Sequence, residues 1–106
     1  MWTIIYFNER VKSDIEAWPV GIYANFLRLA QWLETDGLEL RMPHSKSMSG
    51  GLFELRCRGT EGIGRAFYCT RVGHELVILH SFIKKTQATP EKELALARKR
   101  LKEVKP

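Results

Sequence analysis

Leu52-Phe53-Glu54-Leu55-Arg56-Cys57-Arg58, Gly64-Arg65-Ala66-Phe67-Tyr68-Cys69-Thr70 and Glu75-Leu76-Val77-Ile78-Leu79-His80-Ser81-Phe82 decide the fold. In the first segment Leu52, Glu54, Arg56 and Arg58 share one parity and Phe53, Leu55 and Cys57 the other. That is the pattern of a half-buried strand with its apolar parity inward. Gly59-Thr60-Glu61-Gly62 reads as a turn into the second segment, and Gly73 breaks the chain before the third. Three runs joined by short turns should pair as an antiparallel meander. Leu76-Val77-Ile78-Leu79 is apolar throughout, which predicts a central strand.

Upstream, Thr3 to Phe7 is β-branched and aromatic and reads as a strand. Asn8 reads as a helix cap, followed by Val11, Ile15 and Trp18 on one helical face. Pro19 and Gly21 interrupt this helix. Ile22, Phe26, Leu29 and Leu33 then form a second amphipathic helix, with Gly37 as its C-terminal cap. Two helices so joined fold as a hairpin. Residues 41–51 read as a loop by composition. Downstream, Thr89 is the expected cap and Pro90 the first residue of a last helix, with Leu94, Ala97, Leu101 and Val104 on one side and Lys92, Arg98, Lys99, Lys102 and Lys105 on the other. The expectation is an α+β fold in one domain, 1–106. Its order is β-α-α-β-β-β-α, a small antiparallel sheet with a helical hairpin on one face, a C-terminal helix, and the other face open to solvent or substrate.

The chain of 106 residues is 44% hydrophobic and 27% charged, the composition of an ordinary globule. No run approaches the length of a membrane span, and no basic stretch precedes the apolar N-terminal segment, so the reading is a cytoplasmic protein. Cys57 and Cys69 are too few for a disulfide scaffold and are expected as small core residues. Trp2, Trp18 and Trp32 fall in packing elements and are also expected in the core. The net charge is +5, and residues 51–106 carry twelve basic and six acidic side chains against five and six in residues 1–50. Such clustering suits a polyanionic partner.

The sheet face that carries Glu54, Arg56 and Arg58 suits phosphodiester chemistry. Arg65 opens the next strand, and Lys84 and Lys85 follow the third. Arginine and lysine hold a scissile phosphate and stabilise its developing charge, and Glu54 or His80 can move protons. RNA supplies its own nucleophile, the 2′-hydroxyl, so the reading needs neither metal nor cofactor, and no spaced ligand set is seen. The competing expectations are ion pairs on a solvated face for Glu54 and Arg56, and a structural role for His80.

Gly51-Leu52-Phe53-Glu54-Leu55-Arg56, Arg65-Ala66-Phe67-Tyr68, Leu79-His80-Ser81-Phe82-Ile83-Lys84-Lys85-Thr86-Gln87 and Thr89-Pro90 with Glu93, Ala97 and Arg100 resemble the phage-derived Gp49-like branch of the RelE/ParE toxin superfamily, which includes HigB-type toxins. The resemblance implies a RelE-like fold and a type II toxin that acts as a ribosome-dependent, metal-independent mRNA endonuclease. It implies Arg56, Arg65, Lys84 and Lys85 as the phosphate-holding set, with His80 matching the family's Leu-His step. Lys46 falls where related toxins carry a loop lysine; with Arg58 and Arg98 it is a candidate for further RNA contact. The implied partners are a cognate antitoxin with a helix-turn-helix domain, message on the ribosome, and operator DNA only through the antitoxin. ParE-like relatives inhibit DNA gyrase, so gyrase inhibition is the alternative activity, and a non-catalytic relative that binds antitoxin or DNA is another.

Overall fold

The structure, a computed structural model, describes residues 1–36, 44–84 and 90–105. Its elements are β1 (Thr3–Tyr6), α1 (Glu9–Glu16), α2 (Val20–Asp36), β2 (Ser45–Ser47), β3 (Phe53–Gly59), β4 (Gly62–Arg71), β5 (Glu75–Lys84) and α3 (Glu91–Val104). The class is α+β, as the sequence patterns require, and the architecture is compatible with the RelE-like fold. The five strands form one sheet in the order β1-β5-β4-β3-β2.

The sheet is mixed, which corrects the antiparallel expectation. β3, β4 and β5 form the expected meander, but β1 lies parallel to β5, from Thr3 opposite Glu75 to Tyr6 opposite Ile78. This places β5 between two strands, as its unbroken apolar run predicts. A second correction is β2, which lies inside the stretch read as a loop. Ser45-Lys46-Ser47 pairs antiparallel with β3 at the sheet edge. Three polar residues carry no strand signature of their own, and pairing with Phe53-Glu54-Leu55 holds them extended.

One sheet face packs on the helical hairpin. Val11 and Ile15 of α1, Trp18, and Ile22, Phe26, Leu29 and Leu33 of α2 are buried against Leu55, Cys57, Ala66, Tyr68, Leu76 and Ile78. The helix spacing and the strand parity thus meet in one core. Asn8 caps α1, its side chain accepting from Val11 N at 2.9 Å. α2 begins directly after Pro19, so Gly21 sits in its first turn rather than breaking the chain. Its backbone N donates to Glu61 Oε2 at 2.9 Å, a cap lent by the β3–β4 turn. Gly64 of β4 lies where a Cβ would meet Trp18 and Ile22 at 2.8–2.9 Å, so glycine sets how closely the hairpin approaches the sheet.

The opposite face is partly covered by α3, a correction to the expectation of a free face. Ala97, Leu94, Leu101 and Val104 pack over Leu52, Phe67, Cys69, Val77 and Leu79. Pro90 is itself the N-cap of α3, with no side-chain capping bond, because the helix starts one residue later than expected. Trp32 is 44% exposed and tilts against His44 with ring centroids 5.5 Å apart, so of the three tryptophans Trp18 alone is fully in the core. Cys57 and Cys69 are free and buried, as expected. The predicted caps Gly37 and Thr89 lie outside the described residues.

Candidate active site

The antiparallel register aligns the chemistry-bearing side chains in rows across the face that α3 shares. Residues directly opposite each other in neighbouring strands point to the same side. One row is Lys46, Glu54, Phe67 and His80, the next Arg56, Arg65 and Phe82, and the third runs through Arg58, Ile63 and the backbone position of Lys84. Sequence positions 38 residues apart, from Lys46 to Lys84, thus share one patch of sheet. Lys85 lies outside the described residues.

His80 reaches this face through a β-bulge. Phe67 pairs with His80, but its neighbour Tyr68 pairs with Ile78, which leaves Leu79 as an extra residue in β5. Simple alternation would put His80 beside Ile78 in the hairpin core. The bulge resets the parity, so Leu79 and His80 both lie on the α3 side and Phe82 follows on the same side. Arg100 of α3 holds this irregularity. Its Nη1 donates to the Leu79 carbonyl at 2.7 Å, and its guanidinium lies over the Phe7 ring at 4.7 Å.

Glu54 sits between two arginines. Arg65 Nη1 donates to Glu54 Oε1 at 2.5 Å, and Arg56 Nε donates to the same oxygen at 3.4 Å. Arg56 and Arg65 are direct cross-strand partners, a like-charge pairing that is unfavourable without a carboxylate between them. Glu54 is only 1% exposed and Arg65 only 3%, so this is not the solvated ion pair that the alternation suggests. Burial pulls the Arg65 guanidinium below its usual range. The Glu54 charge and hydrogen bond oppose that fall, while Arg56 and Arg58 add to it. Among the described residues, Arg65 Nε is buried without a hydrogen-bond partner.

The other predicted residues fall in two groups. Lys46 is exposed on edge strand β2, opposite Glu54, and Arg58 is exposed at the far end of β3, where its backbone N donates to Asn25 Oδ1 at 2.8 Å. Arg98 lies apart, spending its guanidinium on the β2–β3 turn, with Nη2 donating to Met48 O at 2.6 Å and Nη1 to Ser49 O at 3.3 Å. Among the described residues, no group of three His, Cys, Asp or Glu side chains is placed to hold a metal ion, and no helix is long and apolar enough to cross a membrane.

Two residues without an assigned role in the sequence patterns join the site from α3. Arg100 is one; the other is Glu93, whose Oε1 lies 2.8 Å from His80 Nε2. The His80 ring also stacks on Phe82, with centroids 6.1 Å apart. Glu93 and Arg100 flank Ala97 at helical spacings of four and three. Charged residues in step with a buried alanine were the available signal.

None of the curated proteins is a match for this chain. The family model described as phage derived protein Gp49-like (DUF891) matches residues 13–102, a span that holds β2 to β5, α2, the second half of α1 and all but the end of α3. The chain therefore belongs to the phage-derived Gp49-like family.

Proposed function

We propose that this protein is the toxin of a type II toxin-antitoxin system and cleaves messenger RNA on the ribosome as a metal-independent endoribonuclease. Its family is of RelE-like toxin type. The observation that carries the reading is the Arg56–Glu54–Arg65 cluster, two opposed guanidiniums on one carboxylate, with the buried Arg65 Nε unpartnered among the described residues. A buried donor without an acceptor costs about 1–3 kcal/mol. Arg56, the more exposed of the two guanidiniums, is the one that an anionic oxygen can reach, and such an oxygen balances the surplus positive charge of the cluster.

The chemistry follows from RNA itself. The 2′-oxygen attacks the adjacent phosphorus as its proton passes to water, the 5′-oxygen leaves with a proton from His80, and the products are a 2′,3′-cyclic phosphate and a 5′-hydroxyl. Arg56 and Arg65, with Lys84 and Lys85 from the end of β5 and beyond, neutralise the negative charge that grows on the phosphoryl oxygens. Oε1 of Glu54 is occupied by both guanidiniums, so Glu54 orients the clamp. His80 is then the group that carries a proton to the leaving oxygen. Lys46 and Arg58, exposed on either side of the cluster, extend the cationic surface along the RNA backbone. The partners in this reading are ribosome-bound message and a cognate antitoxin with a helix-turn-helix domain, in the cytoplasm.

The test is brief induction in a bacterial host with mapping of transcript 5′ ends. New ends inside coding sequence, lost in Arg56→Ala and Arg65→Ala variants that still fold, are the expected result. Growth arrest with intact messages and a DNA-damage response would instead identify a gyrase inhibitor, and no growth effect a non-catalytic relative.

A further inference from the structure

We infer that Glu93 is a positioning residue that fixes the tautomer of His80 and makes Nδ1 the nitrogen that works on the RNA. This rests on the endoribonuclease reading above and names a residue from α3 as part of its machinery. The geometry is specific. Glu93 Oε1 lies 2.8 Å from His80 Nε2, the His80 ring stacks on Phe82, and both partners are largely shielded, at 16% and 24% side-chain exposure. An ionised carboxylate only accepts, so Nε2 carries the hydrogen. In the neutral ring Nδ1 is then the bare nitrogen, and it makes no hydrogen bond among the described residues.

A histidine so held has the base-and-orienter arrangement used in general acid–base catalysis, where a third group sets which nitrogen is free and stabilises the imidazolium. Nδ1 takes a proton from solvent and donates it to the departing 5′-oxygen, and the ring returns to the Nε2–H tautomer already bonded to Glu93. Among the described residues the other charged groups on this surface are the Arg56–Glu54–Arg65 cluster, Lys46 on the same cross-strand row, Arg58 on the third row, and Arg100 on α3. Arg100 is engaged by the Leu79 carbonyl and Phe7, and Glu54 by the two arginines, which leaves Glu93 as the carboxylate in contact with the ring. The bulge and the carboxylate divide the work: the bulge in β5 sets which face the ring occupies, and Glu93 sets which atom it presents.

The experiment has two arms on the full-length chain. Long-range proton–nitrogen spectra of the imidazoles, with His80 assigned by its loss in His80→Gln, should find the Nε2–H tautomer in the parent protein. They should find a mixture of tautomers in Glu93→Ala. A parent His80 in the Nδ1–H form overturns the inference by itself, whatever the activity. In the second arm, single-turnover cleavage of message on programmed ribosomes should slow about 10- to 100-fold in Glu93→Ala, with half-saturation unchanged within about twofold. Glu93→Gln, which keeps an acceptor for Nε2–H but loses the charge, should be intermediate in rate and keep the parent tautomer. It also replaces Glu93→Ala should that variant not fold. Parent cleavage with Glu93→Ala and Glu93→Gln equally fast overturns the inference and leaves the nuclease reading standing. A parent protein that cleaves no message overturns the nuclease reading and with it the purpose assigned to Glu93, and the spectra still record whether the tautomer is held.

Discussion

Ile78 and His80 are two residues apart in one strand, yet they point to opposite faces of the sheet. Ile78 is in the core against the helical hairpin, and His80 lies across from Phe67 beside the arginine cluster. Regular β geometry forbids this, since positions i and i+2 share a face. The extra residue Leu79 permits it, and Arg100 takes up the Leu79 carbonyl.

Removing the Arg100 side chain should therefore loosen the bulge without unfolding the protein. Arg100→Ala loses a charge-assisted hydrogen bond and a cation–π contact, so urea unfolding should report a loss of about 2–3 kcal/mol. His80 should sample both faces, seen as broadened or doubled imidazole resonances. A single sharp His80 signal with unchanged stability counts against the role.

Glu54 should be less replaceable than Arg56 beside it. Glu54→Ala leaves two guanidiniums opposed across β3 and β4, one of them buried, and breaking a buried pair from one side costs about 3–5 kcal/mol. Arg56 is the more exposed partner and the longer contact, so Arg56→Ala should cost clearly less stability while removing a charge from the cluster. Comparing the urea midpoints of the two variants checks the order.

Alkaline solution should destabilise the fold in proportion to its buried acids. Burial raises the Cys57 thiol from its ordinary 9.0 to about 12, and Tyr68 and Tyr6 also move up, chiefly from burial. The folded state holds the Cys57 proton after the unfolded chain has lost it. The stability tied to that proton is whole below pH 9.0 and falls as pH rises towards about 12, with a slope of about 1.4 kcal/mol per pH unit. Unfolding series at pH 8, 9.5 and 11 should be shallower for Cys57→Ala than for the parent.

Gly64 is a packing position. A methyl group there would press on Trp18 and on Ile22, both buried, so Gly64→Ala should cost about 1–3 kcal/mol in unfolding experiments. Trp18 fluorescence should shift with it. An unchanged midpoint would mean that the hairpin can back away from the sheet at little cost.

The helix faces were legible because their spacing is regular: Ile22, Phe26, Leu29 and Leu33 all lie in the core they predict. The meander was legible for the same reason, as Phe53, Leu55 and Cys57 alternate with Glu54, Arg56 and Arg58. What stayed hidden depends on partners distant in sequence. The parallel pairing of β1 with β5 joins segments about seventy residues apart, and Ser45–Ser47 becomes a strand only because β3 lies beside it. The site divides in the same way. Arg56 and Arg65 were visible as cross-strand neighbours once the turn was placed, but the face of His80 was not, because one extra residue inverts every parity argument beyond it. The burial of Glu54 contradicts the usual preference of carboxylates for water, and the two guanidiniums explain it.

The N-terminal strand has a neighbour that is made late. β1 can dock only after residues 75–84 exist, and α3, which closes the opposite side, is made later still. During synthesis residues 3–6 must wait, unpaired, until residues 75–78 have been added, since long-range strand pairing follows closure of a large loop. A nascent chain therefore carries neither a finished sheet nor a His80 held by Glu93 until α3 has emerged.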